Sequence, residues 1–279
     1  MTATQITAHM IVKNEDQWVW FAIQSILPYV DKFLITDTGS TDHTVAVIKS
    51  IKSSKIQLTQ TTANTPAEVT AIRSQQLDLT TTSWIWIVDG DEVYPDNTAK
   101  ECLAAIKSDR YEGIVVRRFD LLGDVYHRQI ESVGSYNLFG HHGHLLVRLV
   151  NKTKIKGLAY QGDYPNEGFY DGQGYSILSH DPKEWYITQT YLYHAMYLKR
   201  SSMGGNLPMF NRSKYKIERG INIEGSLPEV FKLPRPDLVP DPLVHRSMLY
   251  EALAYIITPI KQTKRFLSSK ILNLNSKKL

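Results

Sequence analysis

Ser83-Trp84-Ile85-Trp86-Ile87-Val88-Asp89-Gly90-Asp91-Glu92 holds the most information in the chain. Trp84 through Val88 are all β-branched or aromatic and read as a strand buried on both faces. Such a strand sits inside a parallel sheet covered by helices. It stops on three carboxylates within four residues. In open α/β sheets ligands bind beyond the carboxyl ends of the strands, so Asp89, Asp91 and Glu92 are expected at the mouth of a crevice. Three acids this close repel one another unless a cation or basic groups neutralise them. A hard divalent ion that also touches a phosphate is the natural neutraliser. The plain alternative is a solvated acidic turn.

Upstream, strands and helices alternate. Ile6–Val12 reads as a first buried strand, followed by the polar turn Lys13-Asn14-Glu15-Asp16 and a helix with Trp18, Phe21, Ala22, Ser25 and Ile26 on one face. Lys32–Thr36 is a second strand. Asp37-Thr38-Gly39-Ser40-Thr41-Asp42 is a tight turn in which Thr41 or Asp42 caps the next helix. Ile56–Thr59 is a third strand, and Pro66 opens a helix running to Leu79. The order βαβαβαβ gives a mostly parallel, Rossmann-like sheet with helices on both faces. Neither early turn is a GxGxxG or P-loop sequence, which argues against an ordinary dinucleotide site.

After Glu92 the pattern becomes mixed. A helix over Asn97–Lys107 precedes Glu112–Phe119, which alternates like an exposed strand. Residues 120–180 are rich in Gly, Tyr, His and Asp, with short strands such as His144–Val150, and read as a wall for a bound substrate. Pro228, Pro234, Pro236, Pro240 and Pro242 mark residues 227–242 as an extended connector. From Leu243 the spacing is helical. Leu249, Leu253, Ile256, Ile257 and Ile260 share a face, and Pro259 kinks or ends the helix.

Composition bounds the compartment and partners. A single cysteine, Cys102, excludes an intrachain disulfide and fits a reducing compartment. The first residues lack a charged-then-apolar signal pattern, and no apolar run reaches the ~20 residues of a spanning helix. A cytoplasmic protein is expected. The net charge is +4, yet residues 261–279 alone contribute +6. The body is therefore no nucleic-acid surface, and the tail is a separate basic element. An apolar stripe beside basic residues reads either as a contact with the inner face of a membrane or as a stripe packed on the body with its lysines solvated.

Met10-Ile11-Val12-Lys13-Asn14-Glu15, Ile35-Thr36-Asp37-Thr38-Gly39-Ser40-Thr41-Asp42-His43-Thr44 and Asp89-Gly90-Asp91-Glu92 resemble, in order and spacing, the three signatures of family-2 glycosyltransferases with the GT-A fold. Arg73, 16 residues before Asp89, resembles the arginine of that family's third helix. The resemblance covers the first third of the chain well and the rest loosely. It implies an inverting transfer of a sugar from a nucleotide-sugar, with Mg2+ or Mn2+, to a glycan, lipid-linked or protein acceptor. It implies Asp91 as the main metal ligand and Asp89, with Gly90, at the ribose or a metal-bound water. Ile11, Val12, Asn14, Glu15, Asp37 and Thr38 fall at the nucleotide, and Arg73 near the diphosphate or sugar. Thr38 stands where many relatives carry a second Asp that reads the base, so uridine is a default expectation.

These readings together divide the chain. Residues 1–226 would form the catalytic domain, with a nucleotide-sugar half (1–110) and an acceptor half (111–226). Residues 227–242 would be the connector, and 243–279 the helical basic tail. An inverting transfer needs a base for the acceptor proton. Glu167 and then Asp163, in a stretch rich in glycine and aromatics, are the candidates. Many GT-A enzymes bring a late histidine to the metal. His194 is favoured over His180, with Lys199 and Arg200 beside it to neutralise the diphosphate. His141, His142 and His144 lack a trusted zinc spacing and read as surface or acceptor-side polarity.

Two rivals use the same stretch. Ile85 to Val93 also fits the hhhhDxDxV motif of haloacid-dehalogenase-type phosphatases, with Asp89 as nucleophile, but that motif belongs on an early strand. The chain could also be an inactive nucleotide- or sugar-binding module. Sugar nucleotidyltransferases share the architecture but want a glycine-rich loop after the first strand.

Overall fold

A computed structural model describes residues 5–199 and 216–275. The order is β1 (Ile6–Val12), α1 (Val19–Ile26), β2 (Lys32–Asp37), α2 (Thr44–Ser50), β3 (Ile56–Gln60), α3 (Pro66–Asp78), β4 (Trp84–Ile87), β5 (Glu92–Val93) and α4 (Asp96–Lys107). It continues with β6 (Gly113–Leu122), β7 (Asp124–Arg128), β8 (Tyr136–Leu138), β9 (His141–Gly143), β10 (Leu145–Asn151), β11 (Ala159–Gln161), β12 (Gly168–Tyr170), β13 (Trp185–Tyr197), β14 (Ile221–Asn222) and α5 (Met248–Asn275).

One ten-stranded sheet runs β14-β7-β6-β10-β4-β1-β2-β3, with β13 pairing β6 and β5. β3, β2, β1 and β4 are parallel. β10 joins β4 antiparallel and starts the mixed half. Along β4 the side chains alternate between two cores. Trp84 and Trp86 pack with Val19, Ile23, Val47 and Cys102 of α1, α2 and α4. Ile85 and Ile87 pack with Leu77 of α3 and with β6 and β10. Helices therefore cover both faces, as the uninterrupted apolar run requires. Truncating a fully buried tryptophan such as Trp86 to alanine costs ~3–5 kcal/mol.

Helix α3 is fixed at both ends. Thr65 and Glu68 form a reciprocal capping box, with Pro66 in the first turn. Buried Gln76 donates to the Met10 and Leu34 carbonyls and to the Thr36 hydroxyl, pinning α3 across β1 and β2. One turn earlier, Arg73 is thereby held over the ends of these strands.

One expectation changes and two are narrowed. The stretch Glu112–Phe119 is no exposed strand: β6 lies between β10 and β7, is nearly all buried, and is packed on both faces. Residues 227–242 do not hang free. Their 3₁₀ turn Glu229–Lys232 seats Phe231 edge-on to Phe21, Trp18 and Tyr193. Pro259 does not end α5, which runs on to Asn275. Among the described residues no helix is long and apolar enough to cross a membrane.

Candidate active site

A cleft of about 620 Å³ opens at the carboxyl ends of β1 and β4. It is lined by Ile11, Val12, Glu15, Thr38, Arg73, Asp89, Gly90, Asp91, Glu167 and His194, gathered from six segments of the chain. Gly90 is needed for contact: a Cβ there would sit 3.1 Å from Val12 Cγ2 and 3.3 Å from the Glu15 side chain. The aromatic side chains Tyr136, Tyr160, Tyr164 and Phe169 also line the cleft, the last three from the glycine- and aromatic-rich stretch that holds Glu167.

The acidic turn is neutralised by a residue that sequence reasoning missed. Arg148, on β10, donates through Nε and a terminal nitrogen to Glu92 Oε1. The same terminal nitrogen reaches Asp89 Oδ2 at 2.6 Å. The Glu92 side chain is fully buried. Burial opposes the charge of Asp89, but Arg148 and then Arg73 outweigh it and hold its carboxyl down at about 2. Burial raises Glu92 above the usual carboxylate range against the pull of Arg148. Two of the three acids are thus paired inside the protein, and their crowding alone does not demand a metal. The signal was present: an arginine inside Leu145-Leu146-Val147-Arg148-Leu149-Val150 is a charge on a buried strand, which must find a partner.

Asp91 sits elsewhere. β13 pairs with β5 so that His194 lies opposite Glu92, and the Ala195 amide donates to the Asp91 carbonyl at 2.8 Å. His194 Nε2 comes within 3.4 Å of Asp91 Oδ2. Its Nδ1–H donates to Asp120 Oδ1 at 2.9 Å. Burial works against the imidazolium, yet Asp91 and the Asp120 hydrogen bond push His194 up to about 9. Asp120 lies on β6, and its other oxygen is 3.6 Å from buried His144. His180 is engaged away from the cleft, at 2.6 Å from Glu112 and 3.4 Å from Asp171.

Among the described residues, no three His, Cys, Asp or Glu side chains form a ready metal cage. Asp91 and His194 do fit a divalent ion whose remaining positions come from phosphate and water. A carboxylate holding one imidazole nitrogen, with the other aimed at an acid, is the arrangement that orients a metal-ligating histidine. The oxygen and nitrogen donors suit Mn2+ and, with fewer protein ligands, Mg2+.

Arg73 crosses the cleft. Its Nε donates to Glu167 Oε1 at 2.8 Å, and a terminal nitrogen lies 3.9 Å from Asp89 Oδ1. Glu167 Oε2 is buried and makes no hydrogen bond. Four sequence candidates do not line the cleft. Asp37 is buried and spends its oxygens on the turn it opens, accepting from the Gly39 and Ser40 amides and the Ser40 hydroxyl. Asn14 has a positive φ of 54°, and its side chain accepts from the Thr41 amide, bracing the two turns together. Asp163 is exposed on a turn, and Lys199 is exposed, contributing its carbonyl to the Trp18 indole. Arg200 lies outside the described residues.

The model for "Glycosyl transferase family 2" matches residues 7–158. No curated protein matches the chain. Among solved structures the chain is similar to S. aureus TarS, at 11% identity and TM-score 0.48 over 69% of this chain and 37% of that one. It is similar to S. aureus TarS 1–349 in complex with UDP-GlcNAc, at 12% identity and TM-score 0.46 over 73% and 60%. It also resembles glucosyl-3-phosphoglycerate synthase from Mycobacterium tuberculosis in complex with Mn2+, UDP and phosphoglyceric acid, at 19% identity and TM-score 0.33 over 42% and 43%. The chain thus spans less than two thirds of each of these proteins. Scores at this level transfer no residue's role.

Proposed function

The chain belongs to glycosyl transferase family 2; from that premise we propose that it is a glycosyltransferase, an inverting, metal-dependent enzyme using a uridine diphosphate-sugar. The observation that carries the reading is the convergence of Asp91, His194 and Arg73 on one cleft at the end of β4. In this reading the diphosphate lies between Arg73 and the Asp91–His194 pair. Asp91 and His194 would hold Mg2+ or Mn2+, whose charge offsets that gathering on the leaving diphosphate.

The remaining roles belong to the chain's own groups. An acceptor hydroxyl oxygen bonds to the anomeric carbon. The bond from that carbon to the β-phosphate oxygen breaks, and its electron pair leaves with the nucleoside diphosphate. Glu167, held at Oε1 by Arg73, takes the hydroxyl proton on its carboxylate. Asp89, fixed by Arg148, faces the ribose.

The base is read at Thr38. Its hydroxyl donates to the Val12 carbonyl at 3.2 Å, which leaves the oxygen to act as an acceptor. A uracil ring offers an imide N–H to such an acceptor, and a cytosine ring does not. The acceptor is a glycan, a lipid-linked sugar or a protein, received against Tyr136, Tyr160 and Tyr164.

The test is a thermal-shift panel of nucleoside diphosphates and nucleotide-sugars with and without Mn2+, followed by turnover with EDTA. A metal-dependent rise with UDP or a UDP-sugar, lost in Asp91→Ala, supports the reading. Selective binding without turnover on any acceptor would make the chain an inactive binding module. A phosphatase is set aside by the family and by Asp89, whose carboxylate is clamped between two arginines rather than poised to attack.

A further inference from the structure

We infer that the outward face of α5 is a docking surface for an anionic lipid bilayer. The helix has two faces. Tyr250, Ala254 and Thr258 are buried against the body, where the Tyr250 hydroxyl donates to the Lys216 carbonyl at 2.8 Å. Arg265 forks onto Glu218 at 2.7 and 2.8 Å, and Lys261 lies 3.5 Å from the same carboxylate. The opposite face carries Leu249, Leu253, Ile256, Ile260, Phe266 and Leu267. Leu249 is 69% exposed, Ile256 61% and Ile260 64%. Six large exposed apolar side chains along about five turns form the kind of contiguous patch that, at roughly 300–600 Å² and above, marks an interaction site.

The occupant follows from charge and hydropathy. Glu251 is the helix's acid and is taken by Arg246 at 2.6 and 3.1 Å; after it the sequence contains no acid to residue 279. Lys264 is exposed beside the apolar stripe, and exposed Arg219 lies over the Tyr255 ring. Lys270, Lys277 and Lys278 follow in sequence. An apolar face bordered by positive charge is the pattern of a helix lying in the plane of a membrane surface. It does not span, because α5 is not apolar enough to cross. A second copy would bring one basic tail against another, whereas anionic lipid headgroups complement both features of the face. The helix is also rigidly tied to the acceptor half. Its start packs on the β6–β7 turn, where Gly123 meets Tyr250 and Arg246 donates to the Leu122 carbonyl, just beyond the Asp120 that holds His194. A bilayer bound to α5 therefore has a fixed relation to the cleft.

The test is flotation of the full chain with phosphatidylcholine vesicles and with vesicles that also contain phosphatidylglycerol, at low and high salt. Binding to the anionic vesicles at low salt and its loss at high salt are expected. Ile256→Glu/Ile260→Glu should reduce the bound fraction by about tenfold or more, and Lys264→Glu should shift release to lower salt. Both variants sit on the outward face, so their melting temperature and UDP binding should match the wild type, which separates this surface from the catalytic reading. Wild type that stays with the soluble fraction overturns the proposal, as does undiminished flotation of the double variant. A dimer in the absence of vesicles that the double variant dissociates would also overturn it and assign the face to self-association.

Discussion

His194 Nε2 stands 3.4 Å from Asp91 Oδ2, although the two lie on elements from opposite halves of the chain. The approach is built by backbone pairing, β13 with β5, and not by a local motif. Asp120 then fixes the ring from behind. His194→Ala should remove the Mn2+-dependent part of the thermal shift with UDP, on top of whatever it costs the metal-free melting temperature by leaving Asp91 and Asp120 without their buried cation. Asp120→Asn keeps the ring but weakens its orientation, so Mn2+ affinity should fall by ~10–100-fold. Titration of Mn2+ against the UDP-bound protein checks both. An unchanged Mn2+ response in His194→Ala would leave Asp91 without this partner.

Arg148 supplies a stability prediction of unusual size for a cleft residue. Removing it strands the buried Glu92 carboxylate and frees Asp89. Arg148→Met should destabilise by ~3–5 kcal/mol, read from urea unfolding, because an uncompensated buried charge remains. Adding Glu92→Gln to that variant should recover part of the loss, since the amide carries no charge to bury. A loss that is simply additive in the double variant would show that the pair is not coupled.

The sequence made the parallel half plain and the mixed half obscure, for physical reasons. β4 announces itself because both its faces are buried, so every residue is apolar. The turns after β1, β2 and β4 are polar punctuation at fixed intervals. β6 misled because Arg117, Arg118 and Asp120 interrupt its apolar pattern, and charges on a strand look like solvent exposure until their partners are known. Arg117 and Asp120 find partners on β13, at Thr188 and His194, and Arg118 pairs with Asp120 two residues along its own strand. Arg148 escaped notice for the same reason. Asp37 was legible as important, but the structure gives it a turn to hold, a role identical in sequence to facing a ligand. The outward stripe of α5 was visible as a stripe, while which side of the helix met the body was decided by Tyr250, Ala254 and Glu218, far apart in any linear reading.

Glu167 and Asp163 now stand in different surroundings, which makes their comparison decisive. Glu167 lies in the cleft with one oxygen on Arg73. Asp163 is exposed and does not line it. Glu167→Gln should lower transfer by ~10²–10⁴ with UDP affinity nearly unchanged. Asp163→Asn should retain activity close to wild type. If Asp163→Asn is inactive and Glu167→Gln is active, the proton is taken from the turn and not from the cleft wall.

In the proposed function, base choice rests on a single hydroxyl. Thr38 is buried, lines the cleft and gives its proton to the Val12 carbonyl, so its oxygen can accept but has no second proton to donate. Thr38→Val keeps the branched shape and removes that acceptor. One lost hydrogen bond is worth about 1 kcal/mol, so UDP should bind ~5-fold more weakly. CDP presents an acceptor at the matching ring position and gains nothing from Thr38, so its affinity should stay the same or improve as the repulsion disappears. Calorimetric titration of both nucleotides into both proteins measures the ratio directly. A UDP-to-CDP preference that survives Thr38→Val unchanged would move base recognition to the backbone at Ile11 and Val12.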